Sequence, residues 1–112
     1  MSLPVEIAVP IAKGTLYTVP ASQQAIVTAI HIANESGGAR TFTVYAKLPG
    51  GTSRPISPLN QALATDALAI YAEPLHLPAG AILEGVADGA SVSCFISGKE
   101  VPLREYAGYG SA

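Results

Sequence analysis

The sequence predicts an all-β chain: an antiparallel β-sandwich, jelly-roll-like or Greek-key, with extended N- and C-terminal arms. Three observations carry this. Apolar and polar residues alternate with a period of two in several short runs enriched in β-branched residues. Turn signals built from Gly, Pro, Asn and Asp recur at close intervals between those runs. No stretch keeps apolar spacing of 3.6 residues over three turns, so helix content is expected to be small. The 112 residues make one domain. An immunoglobulin-type domain is disfavoured, because the chain has no Trp and a single cysteine.

The elements follow in chain order. Residues 1 to 14 alternate as Leu3, Val5, Ile7, Val9 and Ile11 between Pro4 and Pro10, and read as an extended apolar N-terminal arm. The sandwich domain is placed at residues 15 to 101. Thr15 to Val19 forms its first strand and is closed by Pro20. From Ala25 to Asn34, Ile26, Ile30 and Ile32 share one face, while Val27, Ala29, His31 and Ala33 share the other. Asn34-Glu35-Ser36-Gly37-Gly38 supplies turn chemistry. Arg40 to Leu48 is the cleanest alternation, with Phe42, Val44, Ala46 and Leu48 inward and Thr41, Thr43, Tyr45 and Lys47 outward. The two strands and their turn predict an antiparallel hairpin.

Three prolines and two glycines in residues 49 to 58 exclude a central strand there. Leu59 to Ala67 is ambiguous and has room for a short helical turn. Leu68 to Ala72, Leu75 to Leu77, Ile82 to Ala87 and Ser91 to Ser97 read as further strands, and Asp88-Gly89 between the last two predicts a second hairpin. Residues 102 to 112 form a Gly-rich C-terminal tail carrying Leu103, Tyr106 and Tyr109.

Composition narrows function. Charged residues make up 12% of the chain and its net charge is −2. Neither nucleic acid nor an anionic membrane is expected as a partner, since both select clustered Lys and Arg. No segment reads as a secretory signal or a membrane-spanning helix, so synthesis in a cytoplasm is expected. Cys94 alternates with Val92 and Ile96 and reads as a buried thiol.

No catalytic, cofactor-binding or metal site is expected, and the chain reads as a non-enzyme. His31 and His76 have no Cys, Asp, Glu or second His at ligand spacing. No serine lies in a G-x-S-x-G elbow. The acids, among them Glu73, Glu84 and Asp88, are scattered through turns and outward strand positions as a solubilising set. Gly37-Gly38 and Gly50-Gly51 lack the following helix N-terminus that makes a glycine loop bind phosphate.

The runs Leu16 to Ala21, Ala25 to Gly37, Thr43 to Tyr45 and Leu77 to Gly80 resemble the small β-sandwich virion proteins of tailed bacteriophages and prophages. These are capsid decoration or cement proteins and head or tail accessory subunits. The resemblance covers residues 14 to 101 and implies a virion protein made in the host bacterial cytoplasm, most simply a capsid decoration protein that stabilises the shell. Its partners are then further copies of itself, as a homo-oligomer, and the major capsid protein or another virion protein. No active-site residues transfer. The expected assembly contacts are Leu3, Val5, Ile7, Val9 and Ile11 in the N-terminal arm and Leu103, Tyr106 and Tyr109 in the tail. Alternatives are a head–tail connector, a tail accessory subunit, and a glycan- or receptor-binding module that uses Tyr45, Tyr71 or residues 49 to 60 as a sugar platform.

Overall fold

A computed structural model describes residues 3 to 102. These residues form ten strands and no helix: β1 (Val5–Ala8), β2 (Gly14–Thr18), β3 (Gln23–Asn34), β4 (Arg40–Lys47), β5 (Arg54–Pro55), β6 (Gln61–Leu63), β7 (Leu68–Tyr71), β8 (Leu75–Leu77), β9 (Ile82–Ala87) and β10 (Val92–Pro102). One sheet runs β1-β10-β3, with β7 and β8 both on the far side of β3. The other runs β2-β9-β4, with β5 and β6 both on the far side of β4.

The topology simplifies when β5 with β6, and β7 with β8, are each counted as one interrupted strand. Eight strands then pair antiparallel as first with eighth, second with seventh, third with sixth and fourth with fifth. The chain is thus one long hairpin rolled up so that successive pairs fall in alternate sheets. That is the jelly roll, built of two Greek keys.

This wrapping overturns both predicted hairpins. β3 and β4 lie in different sheets, as do β9 and β10, so residues 35 to 39 and 88 to 91 are arches across the top of the sandwich. The first arch is organised by Asn34, whose side chain is buried. Its Nδ2 donates to the carbonyls of Gly38 (2.7 Å), Leu63 (3.1 Å) and Ala64 (3.1 Å), while its Oδ1 accepts from the Ser36 amide and hydroxyl. The turn signal was real, but Asn34 ties it to residues across the fold instead of closing a local ladder. Gly89 has an equally non-local reason: a Cβ there would lie 2.5 Å from Nε of Arg40, which covers the second arch. The two arches meet where the Glu35 amide donates to the Ser91 carbonyl.

Local departures from the predicted pattern have the same tertiary origin. Ala25 and Val27 face the core at one end of β3, and Ile30, Ile32 and Asn34 at the other. The phase changes because the pairing with β10 steps from Ala29 opposite Ser97 to Val27 opposite Gly98, leaving Thr28 as a bulge. Val27 therefore shares the core face with Ile30 and Ile32 and not the opposite face with Ala29 and His31. Only glycine fits at position 98, where a Cβ would lie 2.1 Å from the Ile26 carbonyl oxygen. A second irregularity between Thr15 and Tyr17 turns both Leu16 and Tyr17 into the core. Thr43, expected outside, is buried beneath the segment that links β5 to β6, and its hydroxyl accepts from the Asn60 amide. Leu48, expected inside, is exposed past the end of β4. Residues 59 to 67 hold β6 and a turn, with no helical turn.

The N-terminal segment is also corrected. β1 pairs with β10 from Val5 opposite Ile96 to Ala8 opposite Ser93, so it is the edge strand of a sheet and not a free arm. Val5 and Val9 join Leu16, Tyr17, Ile32, Phe42, Leu83 and Ile96 in the core, with Leu3 and Ile7 packed against it. Their apolar contact lowers the free energy of this chain's own fold, by about 25 cal/mol per Å² removed from water. The predicted end of the sandwich also moves by one residue, since Pro102 still pairs with Gln23.

Candidate interaction surface

The outer face of the β1-β10-β3-β7 sheet carries the most unusual chemistry of the molecule. Cross-strand register aligns Glu6, Phe95, His31 and Ile70 in one row, and Ala8, Ser93, Ala33 and Leu68 in the next. Leu68 is 56% exposed, Ile70 54% and Phe95 41%. β7 is inverted relative to a normal strand, because its larger aliphatic side chains point to solvent while Ala69 and Tyr71 pack against the core. The His31 and Phe95 rings lean together at a centroid distance of 6.4 Å. Scattered exposed apolar residues are ordinary, but neighbours aligned across strands form a patch, and such patches mark contact surfaces.

Among the described residues, the predicted assembly residues differ in exposure. Ile11 is 62% exposed on the connection from β1 to β2. Val5 and Val9 are buried within this chain, and Leu3 and Ile7 are packed on its core. Leu103, Tyr106 and Tyr109 lie outside the described residues. Phe95, Leu68 and Ile70 were missed by the sequence reading. For Phe95 the signal was present, since it stands at the opposite parity to Cys94 and Ile96 in an alternating strand.

Two of the proposed sugar contacts, Tyr45 and Tyr71, are engaged within the chain, whereas residues 49 to 60 are largely exposed. The Lys13 ammonium sits 3.9 Å from the centroid of the Tyr45 ring and 3.9 Å from the Glu84 carboxylate, which also accepts from Ser53. Tyr71 packs edge-on against Phe42, with ring centroids 6.2 Å apart, and burial holds its phenol pKa above the ordinary value. Beside Tyr71, a cleft of about 450 Å³ opens between the interrupted edges of the two sheets. Val27, Ile30, Ile56, Ile70 and Leu75 line it, and exposed Glu73 stands at its rim.

Two further groups, Cys94 and Tyr17, are held in their protonated forms. Burial pushes the Cys94 thiol up to about 12, so it stays protonated and unreactive at neutral pH. Tyr17 is raised further, first by burial and then by its hydrogen bond to the Glu100 carboxylate and by that group's charge. Among the described residues, no group of three His, Cys, Asp or Glu side chains is placed to hold a metal ion. Among the same residues, no helix is long and apolar enough to cross a membrane.

No family model matches the sequence, and no curated protein matches it. The fold, in contrast, has solved counterparts. A chain of the T13 viral particle of infectious bursal disease virus superposes with a TM-score of 0.51 at 16% identity, over 87% of this chain and 28% of that one. Chains from the Gx and Gt strains of the same virus align at 14% and 15% identity over 88% and 89% of this chain, with TM-scores of 0.46 and 0.44. The chain spans less than a third of the length of each of these viral chains. At such identity the likeness is one of fold.

Proposed function

We propose that this chain is a non-enzymatic structural subunit of a virus particle, and specifically a capsid decoration or cement protein of a tailed bacteriophage. The observation that carries the reading is the outward exposure of Phe95, Ile70 and Leu68, spread over two adjacent cross-strand rows of one face of a fully wrapped jelly roll. The exposed part of these side chains is left uncovered by the chain itself, and its burial against a neighbour is favourable by the same hydrophobic term that builds a core. The fold likeness to a chain of the T13 viral particle supports the virion assignment, and the resemblance of residues 14 to 101 to small phage virion proteins supports the bacteriophage one. The partners are further copies of the chain and a major capsid protein, and the contacts extend to Ile11, Leu103, Tyr106 and Tyr109.

The test is incorporation into particles. Full-length chain is expected to co-purify with particles at fixed stoichiometry. Phe95→Asp with Ile70→Asp should lower occupancy at least about tenfold, because two buried carboxylates oppose the contact, while the thermal melt moves by only a few degrees. Undiminished occupancy in that variant sinks the assignment of this face. A connector or tail subunit uses the same surface, and the protein captured with the chain, capsid or tail, assigns its place. Binding of a well-folded monomer to immobilised glycans, with no association to particles, supports the receptor-binding alternative instead.

A further inference from the structure

We infer that the cleft between the sheet edges receives the segment 103 to 112 of a neighbouring copy, with Leu103 in the apolar floor and Arg104 paired with Glu73; this rests on the assembly reading above. The cleft has the size of pockets that bury ligand groups, and its chemistry is specific: an aliphatic floor from Val27, Ile30 and Ile56, with one carboxylate at the rim. Its complement is an apolar side chain beside a cation. Residues 103 to 106, Leu-Arg-Glu-Tyr, place those two properties side by side. Two other cations, Lys13 and Arg40, are engaged elsewhere. Lys13 lies over Tyr45 and beside Glu84, and Arg40 donates to the carbonyls of Ala39 and Ala90. The other terminal segment is not available as occupant, because β1 is already paired with β10.

Reach decides between the chain's own segment and a neighbour's. β10 ends at Pro102 opposite Gln23, on one side of β3, whereas the cleft adjoins Leu75, opposite Val27, on the other side. Rounding the end of β3 crosses two strand spacings, about 10 Å, and follows four residues of strand, about 13 Å. Arg104 stands two residues beyond Pro102, which spans at most about 7 Å. A chain therefore cannot fill its own cleft with Leu103 and Arg104. A second copy has no such constraint, and the exchange links subunits head to tail, each giving one segment and receiving another.

Sedimentation velocity of the full-length chain over a concentration series tests this. The wild type is expected to self-associate. Glu73→Arg alone and Arg104→Glu alone should each weaken association about tenfold, and the double exchange should return it toward the wild-type value. Association that ignores both single changes overturns the cleft contact while leaving the assembly reading in place. A wild type that stays monomeric throughout the series overturns it as well, and the assembly reading is then judged separately by incorporation into particles. Single changes that weaken association without rescue in the double variant also count against the pairing. Glu73 is exposed, and an unchanged melt confirms that the variants fold.

Discussion

The Tyr17 hydroxyl donates to the Glu100 carboxylate, joining β2 of one sheet to β10 of the other. It is a polar tie at the margin of an otherwise apolar interior, and Tyr17 reaches it because the irregularity in β2 turns that side chain inward. Tyr17→Phe keeps the packing and removes the donor. The expected cost is about 1.5 to 3 kcal/mol, the range for a hydrogen bond to a charged group. Urea titration should show a lower midpoint with an unchanged slope.

Stability should fall in alkali, beginning near pH 9. Cys94 is raised from 9.0 to about 12 in the folded chain, and Tyr17 and Tyr71 are raised from 10.0. In each case the unfolded chain loses its proton at a lower pH than the folded one. Stability is therefore complete below the unfolded values and is lost as pH rises toward the folded ones. Cys94 alone contributes a slope approaching about 1.4 kcal/mol per pH unit between pH 9 and 12. Thermal melts across that range check this, and Cys94→Ala should flatten the slope whatever its effect on stability at pH 7. The native thiol should also resist a disulfide reagent at pH 8 and react once the chain is denatured.

Asn34 offers the sharpest test of the arch. Asn34→Ala removes the donor shared by the carbonyls of Gly38, Leu63 and Ala64, leaving Gly38 with the Ser36 hydroxyl and Ala64 with the Ala67 amide, and is expected to cost about 2 to 3 kcal/mol. Asn34→Asp keeps the shape but turns a carboxylate oxygen toward those carbonyls. At pH 7 it should be at least as damaging as alanine, and it should recover in acid, because folding there favours the protonated form. Denaturant melts at pH 7 and pH 4.5 measure both effects. An aspartate variant equally stable at the two pH values contradicts this account of the arch.

Much of the fold was legible, and what escaped has a common cause. Alternation places Phe42, Val44 and Ile96 in the core because a strand with one wet face must sort its residues by parity. Parity does not say which strand lies alongside. Asn34 and Asp88-Gly89 look like hairpin turns locally, and the partners that make them arches, Leu63, Ala64 and Arg40, are distant in sequence. Parity also fails at a bulge, which is how Val27 changed faces opposite Gly98. In Leu68-Ala69-Ile70-Tyr71 both parities are apolar, so only the tertiary structure reveals that the aliphatic pair faces out. The contact surface was hidden for that reason. The low charge was visible from the start, but the residues that account for it could not be located.

The interrupted strands have a further consequence. A long, flat outer strand is a template on which another chain can extend the sheet, and repeated extension leads to fibrils. Here β5 and β6 are separated around Pro58, with Pro55 ending β5, and β7 and β8 are separated at Pro74. Two of the four sheet margins thus offer no continuous run of amides, and the chain can be concentrated with few charges to keep copies apart. At those two margins any contact between copies must form through side-chain shape and not through backbone pairing.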